Sequence, residues 1–169
     1  MDITSIDFLL SIKSYAKKAN DLGAPVYAPV LKKELQFSGG TTANKADMIW
    51  GDERTVASAT NDDLDLAGVL TDAFGDTFTA AEIVGLAIVA DSGNTTTLTI
   101  GVAGTNPWVA LWAASGDGIK VQPGGVFVIM APDASGLGAV GAGSADVLRV
   151  ANGSGAAATY KILIIARTA

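Results

Sequence analysis

The chain has 169 residues, of which 49% are hydrophobic and 17% charged, and its formal net charge at pH 7 is −6. This composition is too apolar for a disordered protein, and the length suits one domain with a sizeable core. The acidic balance argues against a nucleic-acid partner, because phosphate contacts need clustered Lys and Arg. Since the chain has no His and no Cys, Ser-His-Asp catalysis, Cys-His catalysis and disulfides are excluded.

The charge is unevenly distributed along the chain. Residues 1–35 have five Lys and four acids, a balance of +1, whereas residues 36–169 have six basic and thirteen acidic residues, a balance of −7. No apolar run is longer than a strand, and the N-terminus lacks the charge order of a signal peptide. We therefore expect a protein that has no membrane partner and is not secreted through a signal peptide.

Residues 4–22 are predicted to form a helix, with Gly23 as its stop. At helical spacing, one side is apolar and the other basic. The residues that define these sides are Ile6, Leu9, Leu10, Lys13, Lys17 and Lys18. Pro25 and Pro29 follow and favour an extended connector. We predict a helical arm and Pro-containing linker at residues 1–33. Such a short helix needs a docking surface on its own body or on a neighbour.

Residues 34–169 are predicted to form a β-rich body. Apolar and β-branched stretches alternate with turn signals about every ten residues, which is typical of a sandwich or barrel. The predicted strands lie in ELQFSGG, RTVASAT, DLDLAG, EIVGLAIVAD, NTTTLTIGVAG, GIKVQPGGVFVIMAPD and ADVLRVANGSGAAATYKILIIART. The segment WVALWAA is predicted as a strand or a turn of helix, and LTDAFGDTFTAAE as a short helix or an irregular loop.

The stretch PDASGLGAVGAG, residues 132–143, contains a G-x-G-x-x-G motif. A dinucleotide fingerprint needs its glycines directly after a strand and at the start of a helix. Here APDAS separates the preceding strand from the glycines, and the following SADVLRV is strand-like. We therefore predict a glycine-rich connection between strands and no cofactor.

The remaining candidates for binding or chemistry are weak. Asp62, Asp63 and Asp65 do not form an EF-hand, because Ala67 and Phe74 occupy ligand positions. A surface calcium site is the weaker alternative to solvated acids, and we predict no metal site. An enzyme that uses carboxylates alone, such as a glycan depolymerase, is the least favoured alternative.

The tryptophans Trp108 and Trp112 are predicted to be core residues or interface anchors. A carbohydrate-binding module would instead use them as a stacking surface for sugars. That alternative class of function stays open from the residues alone.

Five short motifs occur in order along residues 65–152. They are DLAG (Asp65–Gly68), LTDAFG (Leu70–Gly75), PGG (Pro123–Gly125), APDASG (Ala131–Gly136) and DVLRVAN (Asp146–Asn152). With their flanking residues, they make most of residues 40–169 resemble structural proteins of tailed bacteriophages. The resemblance implies a jelly-roll-like antiparallel β-sandwich, repeated in a particle and without catalytic apparatus.

The most concrete function that the resemblance implies is a non-enzymatic capsid decoration, or cement, protein. It would bridge and stabilise neighbouring subunits of the major capsid protein on the outer capsid surface of the virion, after assembly in the host cytoplasm, and would self-associate as a homotrimer. In this hypothesis the arm clasps the shell through Ile6, Phe8, Leu9, Leu10, Lys13, Lys17 and Lys18. A tail, baseplate or fibre-associated component is the structural alternative.

Overall fold

The computed structural model describes residues 3–19, 22–101, 104–114 and 116–169. In these ranges the protein is all-β and contains no helix, and hence no helix that could cross a membrane. The strands are β1 (Ser5–Lys13), β2 (Ala16–Lys17), β3 (Val26–Tyr27), β4 (Val30–Gly39), β5 (Lys45–Ala46), β6 (Met48–Val56), β7 (Asn61–Asp65), β8 (Ala67–Thr71), β9 (Thr77–Thr79), β10 (Glu82–Ala90), β11 (Leu98–Gly101), β12 (Gly118–Val121), β13 (Val126–Met130), β14 (Gly138–Ala139), β15 (Val147–Asn152) and β16 (Ala158–Arg167).

Two antiparallel sheets form the two layers of the body, in agreement with the predicted sandwich, while β8 pairs with β9 and β5 with β4 outside these layers. The larger sheet has the strand order β13-β10-β16-β6, with the short β14 paired to β10. The smaller sheet has the order β12-β11-β15-β7. Chain neighbours such as β12 and β13, or β15 and β16, lie in different sheets. The turns at PGG and NGSG therefore connect the two layers, and the core lies between them.

Alternation along the strands sends one set of side chains into this core. On β16, Tyr160, Ile162 and Ile164 are buried, and on β10 Leu86 and Ile88 are buried beside them. The facing sheet contributes Leu64, Leu98, Ile100, Leu148 and Val150. Each such aliphatic side chain contributes about 1.5–3 kcal/mol on burial, so the two layers are held together mainly by apolar packing.

The opposite face of the larger sheet carries a second, smaller apolar cluster. β10 has a bulge against β16 between Ile83 and Gly85, and the intervening Val84 is fully buried in this cluster with Phe37 and Ile165. Bulges bend a strand and redirect its side chains. At this bulge, the outer face of the sheet therefore presents apolar side chains on which the segment containing Phe37 packs.

The helix predicted over residues 4–22 is wrong, because the described part of this segment forms β1 and β2. β1 pairs antiparallel with β4 at nine positions, from Ser5–Ser38 to Lys13–Val30, and β2 pairs with β3. The apolar residues at positions 6, 8, 10 and 12 also alternate with period 2, which is the strand period. Pairing with β4 satisfies backbone groups that an isolated strand would expose to solvent.

The N-terminal arm is therefore a long β-hairpin, formed by β1 to β4. The GAPVYAPV segment is extended, as predicted, but it belongs to the hairpin. The carbonyls of Pro25 and Pro29 accept backbone hydrogen bonds from Lys18 and Ser14, at 3.4 and 3.2 Å. The return strand β4 continues to Gly39, so it crosses the arm–body boundary predicted at residues 33 and 34.

Two further segments differ from the sequence expectation. LTDAFGDTFTAAE forms β8 and β9 around a turn, in which the Asp72 carboxylate accepts backbone hydrogen bonds from Phe74 and Asp76 at 2.8 and 2.9 Å. The segment WVALWAA, residues 108–114, is neither strand nor helix: it is irregular at Trp108 and Val109 and continues in turns and bends.

Candidate interaction surface on the arm and the outer sheet

The arm has two chemically different faces because its side chains alternate along β1 and β4. One face, called here the apolar face, carries the cross-strand pairs Ile6–Phe37, Phe8–Leu35, Leu10–Lys33 and Ile12–Leu31. The other face carries mainly polar side chains, with Leu9 and Val30 as its apolar members. In the strand, the Leu9 side chain therefore points to the face opposite Ile6 and Leu10, whereas in a helix all three would lie on one side.

The apolar face is buried at the root of the arm and exposed further out. At the root, Phe37 is fully buried, and Ile6 and Leu35 pack against the same cluster on the outer face of the larger sheet. Along the hairpin the exposure rises to 38% at Leu10, 55% at Ile12 and 60% at Leu31. The apolar face therefore extends past its contact with the body.

The outer face of the larger sheet carries an exposed apolar patch next to the arm root. Val128, Ala87 and Leu163 form one cross-strand row, and Val126 lies opposite Val89 in the next row. We call these five residues the outer patch. A groove of about 140 Å³ separates this patch from the arm and is lined by Phe8, Ala87, Val128, Met130, Leu163 and Ile165, among others. The outer patch is therefore a candidate interaction surface.

Charged side chains flank both surfaces. Lys13, Lys17 and Lys18 are exposed on the arm, and their contact with a partner stays a prediction. Beside the outer patch, exposed Glu53, Asp91 and Lys161 line the hollow next to Val89, and Lys161 forms an ion pair with Glu53 at 3.4 Å. The arm thus combines apolar and basic side chains, whereas the body surface beside the patch combines apolar side chains with two carboxylates, one of them paired with a lysine.

The two tryptophans proposed as interface anchors lie in or against the core. Trp108 is buried and its indole nitrogen donates a hydrogen bond to the carbonyl of Ala139 at 3.0 Å. Trp112 is partly buried and packs against the same core. Trp108 therefore has the first of its two predicted roles, that of a core residue. The interface role of Trp112 stays a prediction.

The glycine-rich stretch at residues 132–143 folds against the buried guanidinium of Arg167. This side chain is fully buried. It donates hydrogen bonds to the carbonyls of Lys45, Asp133 and Ala134 at 2.9, 2.8 and 3.2 Å, and to the carboxylate of Glu82 at 3.0 Å. Sequence reasoning missed this role, because three of the acceptors are backbone carbonyls, and residue types do not show where backbone carbonyls will point.

The glycines of the G-x-G-x-x-G motif allow the loop to approach β10 closely. Gly136 has φ +52°, and a Cβ there would lie 2.5 Å from the carbonyl oxygen of Ile83. Gly138 has φ +129°, and its Cβ would overlap that of Ala110. The motif thus lies in a structural connection between strands, as predicted, and its glycines relieve backbone crowding.

The acidic residues of β7 each have local partners. Asp62 accepts hydrogen bonds from Arg54 and from the Tyr160 hydroxyl, both at 2.8 Å. Asp63 pairs with Arg149, which lowers the pKa of the Asp63 carboxyl by hydrogen bonding. Asp65 accepts from the backbone of Ala67 at 2.8 Å. Within the described ranges, no three acidic side chains are arranged to hold a metal ion.

Tyr160 gives a test of this network by its pH dependence. Burial, followed by the neighbouring Asp62 carboxylate, raises the pKa of the Tyr160 phenol above its ordinary value. Its contribution to stability is therefore complete below the unfolded pKa of about 10 and is lost as the pH rises above it. We expect the wild-type melting temperature to fall more steeply between about pH 9 and about pH 11 than that of Tyr160→Phe. Exposed Tyr27→Phe is the control, and equal slopes for all three proteins would contradict the prediction.

Taken together, these features define a β-sandwich with a projecting hairpin arm, whose apolar face is only partly covered. No protein-family model matches the chain, and the searches of curated proteins and of solved structures also give no match.

Proposed function

We propose that this protein is a non-enzymatic structural component of a bacteriophage virion, and specifically a capsid decoration protein that bridges neighbouring capsid subunits. The observation that carries the proposal is the arm, a hairpin that leaves the body with exposed apolar and basic side chains. Exposed apolar surface of this extent is costly in a soluble protein unless a partner covers it. The motif resemblance of residues 40–169 to phage structural proteins supports the same function.

The strand order of the body supports the finer assignment to a jelly roll. If the eight strands of the two main sheets, without β14, are numbered in chain order, the larger sheet reads 6-3-8-1 and the smaller 5-4-7-2. Two interleaved Greek keys of antiparallel strands produce this order. Jelly rolls occur in viral capsid and lectin domains, so the architecture is compatible with a subunit that is repeated in a particle.

In this proposal the partner of the arm is the major capsid protein on the outer capsid surface, and the protein self-associates as a homotrimer. The exposed side chains of Leu9, Lys13, Lys17 and Lys18 suit a shell surface with apolar hollows and acidic borders. Ile6 and Phe8 lie nearer the root and fix the arm to its own body.

A shortened arm tests the proposal. Lys13 and Val30 are cross-strand partners, so residues 14–29 can be replaced by an Asn-Gly turn that closes a shorter hairpin. We expect this variant to keep its melting temperature and to bind particles that lack the protein at least about tenfold more weakly in co-sedimentation. Val69→Glu, at an exposed site on β8, is the control. Unchanged binding by the shortened arm would overturn the capsid-clasping role.

Cryo-electron microscopy of the particle separates the capsid assignment from the tail alternatives. We expect β-sandwich density at three-fold or quasi-three-fold positions of the outer capsid, which disappears when the gene is deleted. Density in the tail or baseplate instead would move the protein to that part of the virion.

A further inference from the structure

The outer patch and the distal part of the arm are exposed in the same chain. The distal part of the apolar face consists of Leu10, Ile12 and Leu31. At the root of the arm, residues of this same face pack on the neighbouring row of the larger sheet, where Phe37 and Ile6 cover Val84 and Ile165. The fold therefore already contains one example of this hairpin face packed on this sheet face.

The arm of one chain does not cover its own outer patch. Nine consecutive pairs hold β1 and β4 in one continuous ribbon, and Ile12 and Val126 remain 55% and 63% exposed. The groove of about 140 Å³ between arm and sheet is close to the size of the cavity, about 150 Å³, that holds one benzene ring. A second set of apolar side chains therefore has room beside Phe8, Val128 and Leu163.

Charge complementarity selects another copy of the chain as the source of those side chains. Residues 1–35 have a balance of +1 and residues 36–169 a balance of −7, so direct contact between two bodies is opposed by like charge, whereas contact between an arm and a body is favoured. Lys33 lies beside Leu10 on the apolar face, and the Asp91 carboxylate borders the outer patch beside the Glu53–Lys161 ion pair.

We propose that the outer patch of one copy binds the distal apolar face of the arm of a second copy, with Ile12 and Leu31 on Val126, Val89 and Leu163. Two different surfaces meet in this contact, so it closes into a ring when the rotation between copies allows. The contact gives the proposed homotrimer a defined surface. It requires no capsid, so its failure is separable from that of the proposed function.

The oligomeric state of the purified full-length protein tests the arm side of the contact. We expect light scattering after size exclusion to show a self-associated wild type, and Ile12→Ser to weaken association about tenfold or more. Leu9→Ser is the matched control, since Leu9 is 60% exposed on the same strand and points to the other face. A monomeric wild type, or equal effects of both substitutions, would refute the contact.

A second matched pair of variants tests the sheet side of the contact. Val126→Glu is expected to dissociate the oligomer, whereas Val69→Glu, at a site of similar exposure outside the patch, is expected to leave it intact. Mixing Ile12→Ser with Val126→Glu restores one arm–sheet contact between the two variants, so we expect a mixed oligomer. An intact oligomer in Val126→Glu would indicate an arm–arm contact, and one in Ile12→Ser a sheet–sheet contact, and either result would overturn the proposal.

Cysteine cross-linking locates the contact directly, because the chain has no native cysteine. A chain carrying both Ile12→Cys and Val126→Cys is expected to form disulfide-linked oligomers under mild oxidation. The matched chain with Leu9→Cys and Val126→Cys is expected to stay largely uncross-linked, since a disulfide requires Cα atoms within about 7 Å. Equal cross-linking of both chains would exclude the proposed orientation of the arm.

Discussion

Replacing Arg167 by Met is expected to lower the free energy of unfolding by about 3–5 kcal/mol. The substitution keeps an unbranched side chain in the core but removes every donor of the guanidinium. The Glu82 carboxylate and the carbonyls of Asp133, Ala134 and Lys45 then lose their shared partner inside the protein. Unpaired buried acceptors cost their full desolvation free energy. Urea denaturation monitored by tryptophan fluorescence measures the change.

The matched control for Arg167 lies on the same strand. Lys161 forms an ion pair with Glu53 at 3.4 Å, and both side chains are largely exposed. Exposed ion pairs contribute about 0–1 kcal/mol, so Lys161→Met is expected to change stability little. If Arg167→Met were equally mild, the loop at residues 131–136 would hold its position without the guanidinium. The account of Arg167 as its anchor would then be wrong.

The β-sheet body was predictable from sequence because its strands have strong local patterns. EIVGLAIVAD and KILIIA are β-branched and apolar over strand length, and Gly or Pro separates most of the segments. These patterns predict where the strands are but not which strands pair with each other in a sheet. The outer patch combines Val89, Val126 and Leu163 from three strands, so it follows only from the order β13-β10-β16.

The arm was assigned to the wrong element because its pattern fits two periods. Ile6, Leu9 and Leu10 fit a helix, while Ile6, Phe8, Leu10 and Ile12 fit a strand. The deciding partner is β4, which pairs Ile6 with Phe37 across thirty intervening residues. The proposal that the arm is a contact segment does not depend on this assignment, since its apolar and basic side chains are exposed in the strand as well.

At Gly138, a nucleotide-binding loop and the observed structural loop would need glycine for different reasons. In a dinucleotide-binding loop, the second glycine leaves space for the backbone to approach a pyrophosphate. Here Gly138 is that second glycine, and the space beside it is filled by the side chain of Ala110. The same residue also pairs with Ile83 through β14, so a displaced Gly138 would break a strand pairing of the larger sheet.

Gly138→Ala is accordingly expected to destabilise the protein by about 2–5 kcal/mol, because backbone strain at φ +129° adds to overpacking against Ala110. Gly153→Ala is the matched control, since a Cβ at Gly153 meets no atom within 4 Å and is expected to change stability by less than about 0.5 kcal/mol. Thermal denaturation of both variants measures the difference. If the two variants were equally stable, the loop would accommodate the added methyl group by shifting. The close approach to Ala110 would then not be the reason for glycine at this position.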